Sequence, residues 1–546
     1  MIIFVADMFA EQYEGGAELT TEAIITDSLF PCNKLNSQNP RKNPSLLQTM
    51  ETYKEAFWIF GNFASVPTEC LLYAAKNLNY AVLEYDYKYC NLRSPGKHIA
   101  IEGKCKCFKA DKGKLVAIFL HNAKIVWWMS HEQKDKYHAL FPFLKDTNNQ
   151  VLSSVFSRKK IDFIQTLDTS QKNDKYLILN SSSWIKGVED AIDYADEHGL
   201  NYELVWGLEH EELLKKLAKS KGIIFFPRAG DTCPRMTIEA RLLDCELILN
   251  TNVQHKNEEW FSDKELALSY LKERTSTFWA EIEKVAQDCL NLPIGTTNDG
   301  SVKFNVIVPF YNCEKWIGKC IQSLKRQRYK NFNCILVDDM STDNSVEIVK
   351  NMIDDDSRFR LVQNDKKKYA LNNIVDSINL SECALEDVII LLDGDDWLAS
   401  SKALEALYEA YRDDTLMTYG SYVFSQFGQR GPEPSEYSEE VIMANSFRQD
   451  KWRASHLRTF KYKLWKHIKL EDLKDENGEY YKMTYDQAIM LPLLEMASER
   501  SKFIPEILHV YNKENPLNVD KIKAREQHAL AQKIRNKQPY NRETRI

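Results

Sequence analysis

The chain has 546 residues, 44% of them hydrophobic and 28% charged. That length calls for two or three domains, and that composition excludes a disordered chain. A net charge of −7 excludes a basic surface over the whole molecule, and no run approaches the roughly 18 uninterrupted apolar residues of a membrane-spanning helix.

Residues 2–6 read as a buried strand and not as a signal peptide, because no basic segment precedes them and Asp7 follows at once. A soluble protein of the cytoplasm is the expectation. Further short apolar runs predict parallel strands at 57–60, 80–83, 116–120, 176–180, 203–206, 222–226 and 246–249. Helical stretches at 189–197 and 210–219 fall between them, which argues for doubly wound α/β units. Between the third and fourth predicted strands, Cys90, His98, Cys105 and Cys107 lie within 18 residues. Four such donors would close a structural Zn²⁺ tetrahedron; unliganded thiols and a surface histidine are the alternative.

The clearest seam is 292–301, rich in turn formers. Beyond it the α/β pattern restarts: strand 304–309, helix 316–326, strand 332–337, helix 345–354, strand 360–363 and the apolar run 388–392. This organisation predicts domains at 1–150, 151–291 and 304–515, a linker at 292–303 and a basic helical tail at 516–546. The tail holds Lys521, Lys523, Arg525, Lys533, Arg535, Lys537, Arg542 and Arg545 against two glutamates after residue 520. Such an end suits an anionic acceptor or a membrane surface, or is a solvated helix with a frayed terminus.

Three strand ends after the seam carry chemistry. The first reads Val308-Pro309-Phe310-Tyr311-Asn312, the second Val337-Asp338-Asp339-Met340-Ser341-Thr342-Asp343, the third Leu392-Asp393-Gly394-Asp395-Asp396. Three carboxylates in four residues repel unless a cation or protons neutralise them, and hard oxygen donors suit Mg²⁺ or Mn²⁺ on a diphosphate. Together these segments resemble the inverting GT-A glycosyltransferases of family 2. The resemblance implies that Pro309 and Tyr311 line the nucleotide base, with Asp339, in preference to Asp338, bonding its edge. Asp393 and Asp395 would hold the ribose and the metal, with Asp396 close by. Asp486, opening a mostly apolar helix, would be the base that takes the acceptor proton; a helix N-cap is its other reading. His509 is a candidate metal or diphosphate ligand, or a plain strand histidine. Many relatives carry an arginine after the third strand where this chain reads Tyr369-Ala370-Leu371, leaving Lys366, Lys367 or Lys368 to supply the charge. His456, Arg458 and Lys461 are further candidates for donor phosphates or acceptor.

The N-terminal half resembles GT-B glycosyltransferases of family 4. Gly15-Gly16 after the first strand would let backbone amides approach a donor. Asp231 and Glu239, eight residues apart around Pro234, would contact donor sugar and ribose, and Lys186 before Gly187 would meet the leaving phosphate. Arg228, Arg235 or Arg158 would be its basic partner. The implied protein is a fusion: an α/β GT-B-like pair of Rossmann-type domains followed by a GT-A domain, similar to fused transferases of large phages. It would move a sugar from a nucleotide-diphosphate sugar to a glycan, lipid-linked or other hydroxyl acceptor, with a metal-dependent inverting C-terminal site and a second, retaining N-terminal one. Two alternatives stay open. The N-terminal half is a non-catalytic carbohydrate- or acceptor-binding module, or the enzyme is of viral type, acts in the host cytoplasm and glycosylates hydroxylated DNA bases, a nucleic acid acceptor.

Overall fold

The computed structural model describes residues 1–37, 45–291, 301–518 and 524–543. Two units divide it: Ile2–Ser28 with Cys32–Cys289, and Leu290–Ile546 with Met1 and Leu29–Pro31. Residues 292–300 of the expected linker, and Lys521, Lys523 and Arg545 of the tail, lie outside the described residues.

In the N-terminal unit two parallel sheets form. Strands β1 (Ile2–Ala6), β2 (Cys32–Asn36), β3 (Phe57–Phe60), β4 (Asn79–Glu84), β5 (Ile125–Trp128) and β6 (Asn149–Val151) take the order β2-β1-β3-β4-β5-β6. Strands β7 (Tyr176–Leu179), β8 (Tyr202–Val205), β9 (Gly222–Phe225) and β10 (Glu246–Leu249) take the order β10-β9-β7-β8. The inner strands are covered on both faces and so read as unbroken apolar runs; Phe57, Trp58, Ile59 and Phe60 of β3 are wholly buried. Each such side chain contributes about 1.5–3 kcal/mol of burial energy. The 22-residue helix Lys264–Val285 follows the second sheet and returns to the first, where Trp279 Nε1 donates to Ile24 O at 2.9 Å and Phe278 packs on Trp127.

Residues 116–120, expected as a strand, are instead part of the helix Asp111–His121. Val116, Ala117, Phe119 and Leu120 face inward while Ile118 is 47% exposed, a helical period hidden in a five-residue run. The strand that belongs at this point is β5, which begins five residues after Leu120. The edge strands β2 and β6 are half-buried and largely polar, so no apolar run announces them.

The C-terminal unit is built on one eight-stranded mixed sheet. Its strands are β11 (Phe304–Phe310), β12 (Phe332–Asp338), β13 (Phe359–Gln363), β14 (Val388–Leu391), β15 (Trp397–Leu398), β16 (Met417–Phe424), β17 (Arg458–Lys461) and β18 (Ser501–Tyr511), in the order β13-β12-β11-β14-β17-β16-β18-β15. The first four are mutually parallel, and β17 runs antiparallel between β14 and β16. Alternation splits the core cleanly. Phe304, Val306, Val308 and Phe310 pack on the helix Ile317–Lys325, while Ile307, Ile335 and Ile389 pack on the opposite face with the helix Tyr485–Ala497.

The tail belongs to this second core. Its helix Ala524–Arg535 buries Ile534 there, and the buried Arg448–Glu495 pair is closed by Ile534 O and the Tyr540 amide. It is thus not a solvated, frayed end over residues 524–543. Among the described residues no helix is long and apolar enough to cross a membrane.

Candidate active site

Because β11, β12 and β14 are parallel, their carboxyl ends open on one edge of the sheet, where ligands of open α/β sheets bind. The register pairs Phe310 with Asp338 and Ile307 with Leu391. The acidic turn then folds back on the end of β11: the Gly394 amide donates to Pro309 O at 3.1 Å. A Cβ on Gly394 would fall 2.4 Å from Phe310 Cβ, so only glycine lets the turn approach this closely.

A cavity of about 330 Å³ lies over this edge. Pro309, Tyr311, Asp339, Asp393, Asp395, Asp396 and Asp486 all line it, as do His456 and Arg458. Asp338 does not; it is buried and accepts from the Ser341 amide at 3.0 Å. Asp339 also caps the helix Tyr369–Leu380, accepting from the Lys368 and Tyr369 amides at 2.7 and 3.0 Å. Lys367 sits over the Tyr311 ring, and Lys368 pairs with Asp376 at 2.8 Å. Lys461 points away from the cavity to Glu386, at 2.9 Å.

Each carboxylate of the acidic turn has its own protein partner. Asp393 is held by Arg458 Nη2 at 3.2 Å and by the Tyr485 hydroxyl at 2.5 Å. Asp395 accepts from Asn515 Nδ2 at 2.7 Å, and Asp396 from the Asn512 amide at 2.8 Å. The antiparallel pairing of β15 with β18 brings His509 Nε2 to 2.9 Å from Asp396 Oδ2. Burial and the neighbouring Asp396 push the Asp395 carboxyl up to about 8, and burial and Asp393 push Asp396 well up. Burial holds His509 neutral, down to about 3. One donor atom each of Asp396, His456 and His509 lies within 4.8 Å of the others, and His509 Nδ1 is buried with no hydrogen-bond partner. Crowded hard oxygen donors beside a neutral imidazole with an unused nitrogen fit a divalent cation. Asp486 stands in the first turn of the helix Tyr485–Ala497; burial raises its carboxyl above the ordinary range, and Arg458 opposes the rise.

Tyr485 and Asn515 were not singled out from sequence. The first lies beside Asp486 but reads as core; the second follows β18 in a stretch with no periodicity.

The N-terminal unit has a separate cleft of about 630 Å³, lined by Gly16, Lys186, Asp231, Arg235 and Glu239. The strand order reverses between β1 and β3, and Asp7, at the end of β1, faces this cleft. Lys186 Nζ donates to Asp231 at 2.6 Å; Glu239 lies 2.7 Å from His210 Nε2 and accepts from Arg235 Nε at 3.1 Å. Arg228 is bound to Asp190 and Glu189, and Arg158 to Asp162, so of the three arginines only Arg235 lines the cleft. Cys90, His98, Cys105 and Cys107 converge on one another and line neither cavity.

Residues 305–468 match the family model for glycosyl transferase family 2. A glycosyltransferase of Haemophilus influenzae, itself uncharacterized, is 37% identical over 122 residues, which is 22% of this chain and 47% of that protein. The GalNAc(5)-diNAcBac-PP-undecaprenol beta-1,3-glucosyltransferase of Campylobacter jejuni is 29% identical over 182 residues, 33% of this chain and 56% of that one. The chain thus spans about half the length of these curated relatives. Residues 1–349 of S. aureus TarS, solved with UDP-GlcNAc, align at a TM-score of 0.32 and 18% identity over 39% of this chain and 59% of that one. Over residues 305–468 the chain is thus similar to glycosyltransferases of family 2, and the cavity described above is lined by residues of this segment and of the segments that follow it.

Proposed function

We propose that the C-terminal cavity transfers one sugar from a nucleotide-diphosphate sugar to a hydroxyl acceptor by a single displacement with inversion. What carries the reading is that Asp486 and the acidic turn share one cavity, with the carboxyls of Asp395, Asp396 and Asp486 pushed upward by burial. Tyr311 and Pro309 would flank the base, Asp339 its edge, and Asp393 the ribose. Asp395, with Asp393, Asp396 and His509 around it, would hold Mn²⁺ or Mg²⁺. When bound, that ion would offset the negative charge of the departing diphosphate. Asp486 would accept the acceptor's proton, and its raised affinity for a proton brings it closer to the ideal for a base near neutrality. Arg458 would keep Asp393 oriented.

A glycan or lipid-linked hydroxyl fits better than a nucleic acid. The C. jejuni relative is named for a lipid-linked glycan acceptor. A duplex would need uncommitted cations, yet Arg535, Lys537 and Arg542 of the tail are spent on backbone carbonyls, and Lys533 on Glu476. In the stretch 451–469, Lys461 and Lys463 pair with Glu386 and Arg453 with Asp450.

The N-terminal unit is read as a GT-B-like pair that binds a second donor. This is favoured by Lys186, Asp231 and Glu239 meeting in one cleft between two parallel sheets. Retaining transfer there would show as a distinct product lost in Asp231→Ala and Glu239→Ala.

The test is donor turnover across a panel of nucleotide sugars, with Mn²⁺ or EDTA, on wild type and Asp395→Ala. Turnover that stops with chelator and in the variant supports the C-terminal reading. Turnover that survives both overturns it and moves the chemistry to the N-terminal cleft.

A further inference from the structure

The group formed by Cys90, His98, Cys105 and Cys107 is unlike the rest of the N-terminal core. Ser94 caps the helix Pro95–Glu102 by accepting from the Lys97 amide, and Gly103, at φ 73°, ends it in a left-handed turn that sends the chain back toward Cys105. That helix buries one side chain, His98, while Ile99 and Ile101 stay 50% and 64% exposed. An amphipathic helix normally buries its aliphatic residues. Here an imidazole points inward and the isoleucines do not, so apolar packing is not what holds this helix.

What His98 meets is sulfur. Its Nδ1 lies 3.3 Å from Cys90 Sγ and 3.2 Å from Cys107 Sγ, and Cys105 Sγ lies 3.8 Å from Cys90 Sγ. One donor atom from each of the four residues falls within 4.8 Å of the others. A tetrahedral zinc with bonds of about 2.3 Å to sulfur and about 2.0 Å to nitrogen sets its ligands roughly 3.5–3.8 Å apart. A single imidazole nitrogen has one proton or one lone pair, so it cannot satisfy two thiols at once through hydrogen bonds. It can share a metal with both. The other ring nitrogen, Nε2, is 2.7 Å from Glu102 Oε2. A carboxylate there accepts a hydrogen bond from Nε2–H and leaves the Nδ1 lone pair free to ligate, as outer-shell carboxylates do for zinc-bound histidines.

Backbone amides of Leu92, Cys107 and Asn91 face the sulfurs of Cys90, Cys105 and Cys107. Lys97, Lys104, Lys106 and Lys109 in the same stretch offset the net negative charge of a Cys₃His zinc. The fold also closes tightly behind the group: a Cβ on Gly113, in the next helix, would fall 2.2 Å from Cys107 O.

We infer that Cys90, His98, Cys105 and Cys107 bind one structural Zn²⁺ ion. Binding releases the thiol protons to solvent and fixes the segment 90–107 as a metal-held loop. That loop carries Arg93, which lines the N-terminal cleft and donates to Asp86 and Asn62 at 2.6 and 2.8 Å. Its helix begins against the chain leading to Asp231, where a Cβ on Gly96 would come within 2.7 Å of Ala229 Cβ. The ion therefore braces the wall of the cleft without entering it.

The full chain, purified without chelator, is to be assayed for zinc by elemental analysis, beside Asp395→Ala, Cys105→Ser and Cys107→Ser. The expected result is one zinc per chain in wild type and in Asp395→Ala, and less than a tenth of that in both cysteine variants. Because a cysteine variant can misfold, Co²⁺ is also titrated into the metal-stripped wild type, where thiolate-to-cobalt charge-transfer bands and intense tetrahedral visible bands are expected. Wild type with no zinc and no such bands overturns the inference. So does zinc retained in both cysteine variants, or a Cys90–Cys105 disulfide found in the purified chain by mass spectrometry under non-reducing conditions.

Discussion

The two ligand cavities solve the same electrostatic problem in opposite ways. In the N-terminal cleft Asp231 and Glu239 sit beside cationic or imidazole partners: Lys186 on Asp231, Arg235 and His210 on Glu239. In the acidic turn of the C-terminal cavity Asp393 pairs with a guanidinium, Arg458, while Asp395 and Asp396 are held by the Asn515 side chain, the Asn512 amide and the neutral His509, and both are pushed strongly toward the protonated form. A site that neutralises itself can bind a diphosphate through amides and fixed side-chain cations. A site with surplus buried negative charge needs a cation from solution.

The largest expected effect comes from removing that cation. Asp395→Ala, or an assay without added Mn²⁺ or Mg²⁺, should abolish turnover at the C-terminal site while leaving nucleotide-sugar binding at the N-terminal cleft intact, as isothermal titration with each donor would record. Equal loss at both cavities would erase the contrast. Next is Asp486→Asn, which should lower kcat by about 10²–10⁴-fold, the usual weight of a general base, with donor affinity kept. The same residue sets the acid side of the pH profile. The base acts only when ionised and its pKa is raised, so activity should fall with decreasing pH through a midpoint above the ordinary aspartate value of about 3.9. A profile flat down to that value would remove Asp486 from the role.

A smaller effect is expected of Lys186→Met. It strands Asp231 without its cation, a loss of about 1.5–3 kcal/mol of charged hydrogen bonding, and should weaken donor binding at the N-terminal cleft by about 10–100-fold. Turnover at the C-terminal site should not move. The smallest is Asn515→Ala, which takes one hydrogen bond from Asp395 and should raise the Mn²⁺ concentration for half-maximal activity by a few-fold, about 1 kcal/mol. No change there would make Asn515 a loop residue only.

Parallel strands buried on both faces were legible because their apolar runs are unbroken, as in β3 and β14. Residues 116–120 misled because five apolar residues do not reveal their period, and β2 and β6 escaped because edge strands need no apolar run. In the C-terminal cavity the acidic turn was legible for a chemical reason: three clustered carboxylates after an apolar strand have few structural uses. Lys461 was not: it lies three residues from Arg458 on the same strand, so alternation sends it to the opposite face and to Glu386, which only the strand's bounds reveal.

Sequence alone determined the alternation of strand and helix, the acidic turn at a strand end, and the presence of a Cys₃His set, because these rest on local composition and spacing. Tertiary structure decided the rest. It separated Asp338 from the cavity that Asp339 lines, drew His509 and Asn515 onto the acidic turn through the β15–β18 pairing, and folded the tail into the core of the C-terminal unit. It also brought four zinc-type donors within 4.8 Å of one another. Those outcomes depend on the register of distant strands and on which charges burial leaves without a partner, and neither is written in any single stretch of the chain.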